Sequence, residues 1–371
     1  MINLTRTFHP IGQGAFYTEV FKGGTNSPFV TVYDCGSETA EASMDVSLND
    51  QIDQFKSSLG SNPQIDLLFI SHFHADHING LNRLLSGIRV VKTIIPMLDW
   101  PTIILTRVQN YLRFHRGNPA IIESADQIIS DLYLSERINN DKYGKVIIVS
   151  PNTDDDRGYE DQANGAIVRN GSSSLSGNKI IGNRFWEYIP FNSISFNDSR
   201  SRTLLDGLLR LGGVEDPAHL NLNTLLRDHL DDVEKEYEKA IGNRKHNLYS
   251  LVVESKPVDG VMPEPAPRLS DCVYFGDFEY KQNNTLWDRF NRAINYSGVG
   301  TVQVPHHGAK SNWRTEMGIG DPRHYIISSG STNGYHHPSY WVIEEIWQKG
   351  HRPFVVSEKW GSKQVYRFEI Y

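Results

Sequence analysis

Apolar residues fall along the chain with two periods, and the switches between them mark out the elements. Near the start, short β-prone runs alternate with turns: Phe16 to Phe21, the Gly23-Gly24 break, then Phe29 to Tyr33 ending at Asp34-Cys35-Gly36. This predicts an opening β-meander. Ile52, Phe55 and Leu59 share one face of a helix over Ser47 to Leu59, and the short apolar run Ile65 to Ile70 reads as a buried strand. A helix from Gly80 to Leu85 and a strand from Val90 to Ile95 continue the alternation of an α/β protein.

From about Trp100 the pattern changes. Helical spacing runs over Thr102 to Arg116 and Ser124 to Leu134, followed by a polar stretch from Pro151 to Lys179. That stretch contains Asp154-Asp155-Asp156 but lacks the carboxylate spacing of a calcium loop, so it reads as a solvated loop. Asp228 to Ala240 is a charged helix with Gly242 as its stop, and Leu248 to Val253 returns to strand character. The last third is regular again, with strands at Cys272 to Phe275, Gly300 to Val304, Tyr325 to Ser328, Phe354 to Ser357 and Gln364 to Ile370, and a helix around Val342 to Gln348. The reading is two α/β halves, residues 1–98 and 246–371, separated by a mostly helical insertion, residues 99–245.

Composition narrows the class. With 371 residues, 39% of them hydrophobic, the chain can bury one large core or two smaller ones. A net charge of −7 argues against a protein that coats nucleic acid, so a phosphate-bearing substrate would need a local basic patch. No stretch has the length and apolarity of a membrane span, and two cysteines, Cys35 and Cys272, make no disulfide framework. A soluble protein of the reducing cytoplasm is expected, with no membrane partner.

The chemistry is concentrated at Ser71-His72-Phe73-His74-Ala75-Asp76-His77, directly after a predicted buried strand. Four ligand-type side chains within six residues place several donors in one small volume. Neutral imidazole suits Zn²⁺, Mn²⁺ or Fe²⁺; alternating His72 and His74 can bind one ion while Asp76 and His77 face a second. Cys35 lacks a base partner and reads as a buried structural thiol.

This His-x-His-x-Asp-His run resembles the signature of the metallo-β-lactamase superfamily, and the likeness extends further. Asp34-Cys35-Gly36 resembles that family's first motif, whose Asp orients the histidine loop, and Gly276-Asp277 resembles its strand-end Asp that bridges two metals. In the last third, Asn247-Leu248-Tyr249-Ser250, Gly276-Asp277, His306-His307-Gly308 and His336-His337-Pro338 occur in the order seen in the soluble hydrolase domain of ComEC-type DNA-uptake proteins. The resemblance covers about residues 8–98 and 246–371. It implies an αββα sandwich, with His72, His74, Asp76, His77, Asp277 and His337 as metal ligands and Zn or Mn, one or two ions, as cofactor. Asp76, His306, His307 and Asp34 are the catalytic candidates, His306 or His307 stabilising charge or protonating the leaving group. A further histidine ligand has no placed counterpart, although His246 is a candidate; His115, His219 and His229 sit in helical patterns.

Two loops add candidate donors. Lys310, Ser311, Asn312 and Arg314 give the segment after His307 positive charge suited to a phosphate, and the turn Ser328 to Asn333 offers backbone N–H groups to an oxyanion. The expected activity is metal-assisted hydrolysis of a phosphodiester in nucleic acid or a nucleotide. A carboxylic ester, thioester or lactam hydrolase is the competing enzyme reading, and a metal-stabilised module whose insertion binds a partner protein is the non-enzyme one. An insertion of that size can also fold over the site mouth and restrict what enters.

Overall fold

The computed structural model describes residues 1–23, 27–39, 45, 47–117, 119–134, 140–151, 172–175, 177–192, 198–242, 249–279, 284–321 and 323–371. Asp154 to Asp156, His246 and Asn247 lie outside them. Fifteen strands form two sheets among the described residues. The first has the order β15 (Gln364–Ile370), β1 (Ile2–Phe8), β2 (Gly14–Lys22), β3 (Phe29–Ser37), β4 (Gln64–Phe69), β5 (Arg89–Pro96), β6 (Lys145–Ser150) and β7 (Ser172–Leu175). The second runs β14 (Arg352–Val356), β13 (His324–Ser328), β12 (Thr301–Gln303), β11 (Cys272–Tyr274), β10 (Leu251–Pro257), β9 (Trp186–Asn192) and β8 (Ile180–Asn183). β15, β1, β2 and β3 pair antiparallel, whereas β3 to β7 and β11 to β14 are parallel.

Strand side chains alternate between two faces, and here both faces are covered. In β4, Leu67 and Phe69 point into the core between the sheets while Ile65 and Leu68 join the layer under the helices. Val253 of β10 faces the same inter-sheet core, and Val252 packs outward against the helices Asn284–Ala293 and Tyr340–Gln348. Burial on both faces explains why these strands read as continuous apolar runs. The result is the αββα sandwich that the resemblance implied.

The two sheets are also joined by a buried polar cluster. Glu19 of β2 accepts from Arg6 Nε at 2.7 Å, from Tyr188 Oη at 2.7 Å and from Tyr274 Oη at 2.8 Å, and Ser255 Oγ lies 2.8 Å from both of its oxygens. Arg6 also donates to Ser270 O at 2.8 Å. Both members of the pair are buried, so their desolvation is offset only while every hydrogen bond is made.

Between the halves, helix and strand share the work. The range 99–245 holds α4 (Trp100–Phe114, after α1 Leu48–Ser58, α2 Ala75–Ile78 and α3 Leu81–Leu85) and the helices Pro119–Ile129, Ser199–Gly212, Leu222–Asp228 and Leu230–Ile241. It also holds β6 to β9, which extend both sheets. Ile104, Leu105 and Val108 of α4 form a separate small core with Leu204, Leu208, Leu226 and Val233. Gly242, with φ 67°, ends the helix Leu230–Ile241 as its sequence position indicates. Among the described residues, no helix is long and apolar enough to cross a membrane.

Removing one partner of the buried Arg6–Glu19 pair should be costly. Glu19→Ala strands Arg6 between the sheets, and a loss of about 3–5 kcal/mol is expected from urea unfolding. The double change Arg6→Met, Glu19→Leu should cost clearly less than Glu19→Ala; equal losses would show that the uncompensated charge is not the source.

Candidate metal centre

The parallel strands β3 and β4 end side by side, and the loop after β4 carries the histidines. Asp34, at the end of β3 with φ 56°, fixes that loop. Its Oδ1 accepts from Ser71 N at 2.7 Å, and its Oδ2 accepts from Ser71 Oγ at 2.6 Å and from His77 Nδ1 at 2.8 Å. His77 therefore turns Nε2 inward. Gly36 is required next to it, because a Cβ there would lie 2.6 Å from the backbone carbonyl carbon of His77.

Helix α4 supports the other side of the loop. Asn110 accepts from Ala75 N at 3.0 Å and donates to Phe73 O at 2.9 Å, and Gln109 Oε1 lies 2.9 Å from His74 Nε2. That bond leaves His74 Nδ1 as the nitrogen with a free electron pair. Neither Gln109 nor Asn110 was marked by the sequence, since each is one polar residue in an amphipathic helix.

Sheet two supplies the opposing donors. Gly276, at φ 57°, lets the chain turn where a Cβ would lie 2.3 Å from Ser250 Oγ. Gln303 Oε1 accepts from Phe275 N at 2.6 Å and Gly276 N at 2.7 Å, and Asn312 Nδ2 donates to Asp277 O at 3.2 Å. Asp277 is thereby aimed at the histidine loop: its Oδ1 is 3.2 Å from His77 Nε2 and 3.8 Å from His307 Nε2, and its Oδ2 is 3.7 Å from His72 Nε2.

Two donor groups result, and Asp277 belongs to both. One joins Asp76, His77, Asp277 and His307; the other joins His72, His74 and Asp277, with the ligand atoms of each group within 4.8 Å of one another. His307 donates Nδ1–H to Ser328 O at 2.9 Å and points Nε2 to within 3.4 Å of Asp76 Oδ2. It is thus the inward member of the His306-His307 pair. His306 is at the rim, 22% exposed in its side chain, with Nε2 4.0 Å from Asp277 Oδ2. His337 stands further out and belongs to neither donor group; its ring centroid is 5.7 Å from that of His306 and 5.9 Å from that of Tyr335.

The chemistry of the set fits a divalent cation. His72 Nε2, His77 Nε2, His307 Nε2 and Asp76 Oδ1 are buried and make no hydrogen bond. Burial holds His72 and His74 well toward neutrality, and it lowers His306 to about 4. Burial also opposes a charge on His77, but Asp277 and Asp34 overcome it and raise its pKa well above the usual histidine range. Against burial, Arg113 holds Asp76 ionised, and His306, His77 and His307 do the same for Asp277. Nitrogen and carboxylate donors at these separations suit Zn²⁺ or Mn²⁺.

The basic loop is arranged differently from the sequence expectation. Lys310 Nζ sits 5.0 Å over the Trp341 ring, and Arg314 pairs with Glu316 at 2.8 Å. Donors of the turn after β13 are consumed within the fold: Gly330 N donates to Gln13 Oε1 and Ser331 N to Glu358 Oε2. The cation that does approach the donors is Arg113 of α4, 3.7 Å from Asp76 Oδ2. Cys35 is fully buried with its thiol pushed up by burial and then by Asp34, in keeping with a structural role. His115 stacks on Tyr111 and belongs to neither donor group.

Two outcomes follow. Asp34→Ala should weaken metal binding roughly 10- to 100-fold in competition with a chelator, because the loop loses its anchor while every donor remains. Metal affinity should also rise with pH: His77, protonated over an extended range, must lose its proton to bind, so below its raised pKa each pH unit should cost up to about tenfold. A flat profile between pH 6 and 8 would show that His77 is not a ligand.

Comparison with known proteins matches one segment of the chain to a family model. Residues 29–136, which hold Asp34 and all four ligand-type residues of the histidine loop, match the family model of the metallo-beta-lactamase superfamily. None of the curated proteins matches the chain. Solved structures that align with it include the metallo-beta-lactamase fold protein YhfI from Bacillus subtilis, with 11% identity, 99% of this chain and 100% of that one covered, and a TM-score of 0.38. A long form RNase Z from yeast aligns at 7% identity over 89% of this chain and 36% of that one, TM-score 0.32. Unliganded yeast PDE1 aligns at 11% identity over 99% of each chain, TM-score 0.34. Residues 29–136 thus carry a segment of the metallo-beta-lactamase superfamily domain, set in a chain whose two sheets form an αββα sandwich.

Proposed function

We propose that the protein is a metal-dependent phosphodiesterase or nuclease acting on nucleic acid or a nucleotide. The observation that carries the hydrolase reading is the Asp277 carboxylate set between two histidine groups, His72 with His74 and His77 with His307, and buried with both. An ion bound by these residues would supply Lewis acidity and lower the pKa of a water at the site. One or two Zn²⁺ or Mn²⁺ ions suit this donor set.

The chain's own residues have separable tasks. Asp34 keeps His77 in the tautomer that presents Nε2, and Gln109 does the same for His74 Nδ1. Asp76 and Asp277 bring negative charge that a divalent cation requires. His306, partly exposed and largely neutral near pH 7, is placed to donate a hydrogen bond to the substrate at the rim. His337 stands behind it as a second rim imidazole. The phosphodiester preference rests on the order of the C-terminal motifs and on the donors that His306 and Arg113 bring beside Asp277 and Asp76.

Elemental analysis and turnover of bis(p-nitrophenyl) phosphate test this together. The purified protein should carry about one to two transition-metal ions per chain and lose activity with a strong chelator. His307→Ala should lower both metal content and kcat/KM, the latter at least about 100-fold, or about 2.7 kcal/mol of barrier. His337→Ala should keep its metal. Turnover of a thioester or β-lactam with none of the phosphodiester would overturn the substrate class, and absence of metal would overturn the mechanism.

A further inference from the structure

Arg113 is the one Arg or Lys side chain, among the described residues, that an ion pair places against Asp76, and it comes from the helical region rather than from either half that carries the donors. Its guanidinium is ion-paired with Glu38, which extends beyond β3, and lies 5.3 Å over the ring of Tyr335. The side chain is 31% exposed. Its charge is felt by His74 and His306 as well as by Asp76 and Glu38.

These contacts complete a rim around the donors. From Asp76 it passes through Arg113 to Tyr335, then to His337, stacked on Tyr335 at 24°, then to His306, whose Nε2 approaches Asp277. Glu38 and Tyr335 also line a cavity of about 510 Å³ beside Arg113. That volume would admit a small group next to the Arg113–Glu38 pair.

We propose that Arg113, backed by Tyr335, is the anion clamp of this site and selects a phosphodiester over a neutral ester. The inference rests on the phosphodiesterase reading and deepens it. A guanidinium presents parallel N–H donors at the spacing of two phosphate oxygens, and stacking on a ring leaves those edge donors free. Glu38 occupies the fork in the absence of substrate and is exchanged for a non-bridging oxygen of the substrate. A neutral ester has no anionic oxygen to make that exchange.

The test uses the metal-loaded protein and its Arg113→Met, Arg113→Lys and Glu38→Gln variants. Titration calorimetry with inorganic phosphate should show binding roughly 10- to 100-fold weaker in Arg113→Met, partly restored in Arg113→Lys, and several-fold tighter in Glu38→Gln, where the competing carboxylate is gone. On bis(p-nitrophenyl) phosphate kcat/KM should fall by a similar factor in Arg113→Met and recover in part in Arg113→Lys, a loss clearly larger than the one on p-nitrophenyl acetate. Loss of bound metal in Arg113→Met, equal losses on both substrates, or unchanged phosphate affinity would overturn the clamp. Should Arg113→Met not fold, unchanged or weaker phosphate binding in Glu38→Gln overturns it. If the wild type turns over no phosphodiester, the functional reading fails while the phosphate titration still decides the clamp.

Discussion

The metal centre depends on one buried carboxylate. Asp34 accepts from the main chain and side chain of Ser71 and from His77, so a single side chain sets the start of the histidine loop and the direction of one of its donors. Ser71 Oγ in turn lies 2.9 Å from His72 Nδ1, which leaves His72 Nε2 facing Asp277. Asp34 achieves this in a left-handed backbone conformation, a departure of order 1–3 kcal/mol that only a well-determined surrounding structure sustains. His306, His307 and His336 are the other described non-glycine residues with positive φ, and all belong to the loops around the same site.

The sandwich makes that concentration of strain tenable. Its parallel strands bring the ends of β3 and β4 opposite those of β11, β12 and β13, and the Arg6–Glu19 cluster and the stacked Tyr17, Tyr33 and Tyr274 rings tie the sheets between them. Tyr33 Oη donates to Leu251 O and Tyr17 Oη to Ser328 Oγ, so the inter-sheet core reaches the strands that hold the second set of donors.

Much of this was legible in the residues, and the reasons are specific. The histidine loop, Asp34 and Asp277 announce themselves because ligand-type side chains follow apolar strands directly. Strands buried on both faces, such as β4, show as mostly apolar runs. β1 was not marked, because Asn3, Thr5 and Arg6 dilute its pattern although Arg6 is buried by pairing with Glu19. β9 was missed because Pro190 and Asn192 interrupt it, and so the middle of the chain read as more helical than it is. Lys310 and Arg314 satisfied a charge pattern but are spent on Trp341 and Glu316. Which histidine faces inward is a matter of φ and of Ser328 O, and neither is visible in the order of residues.

Helix α4 has two attachments at once. Its Ile104, Leu105 and Val108 belong to the helical core, while Gln109, Asn110 and Arg113, within little more than one turn, hold His74, Ala75 and Asp76. Docking of that helix and loading of the metal centre thus share one free energy. An ion that binds only the docked state stabilises the helical region by mass action, and by the same linkage whatever loosens those helices weakens the hold on the ion.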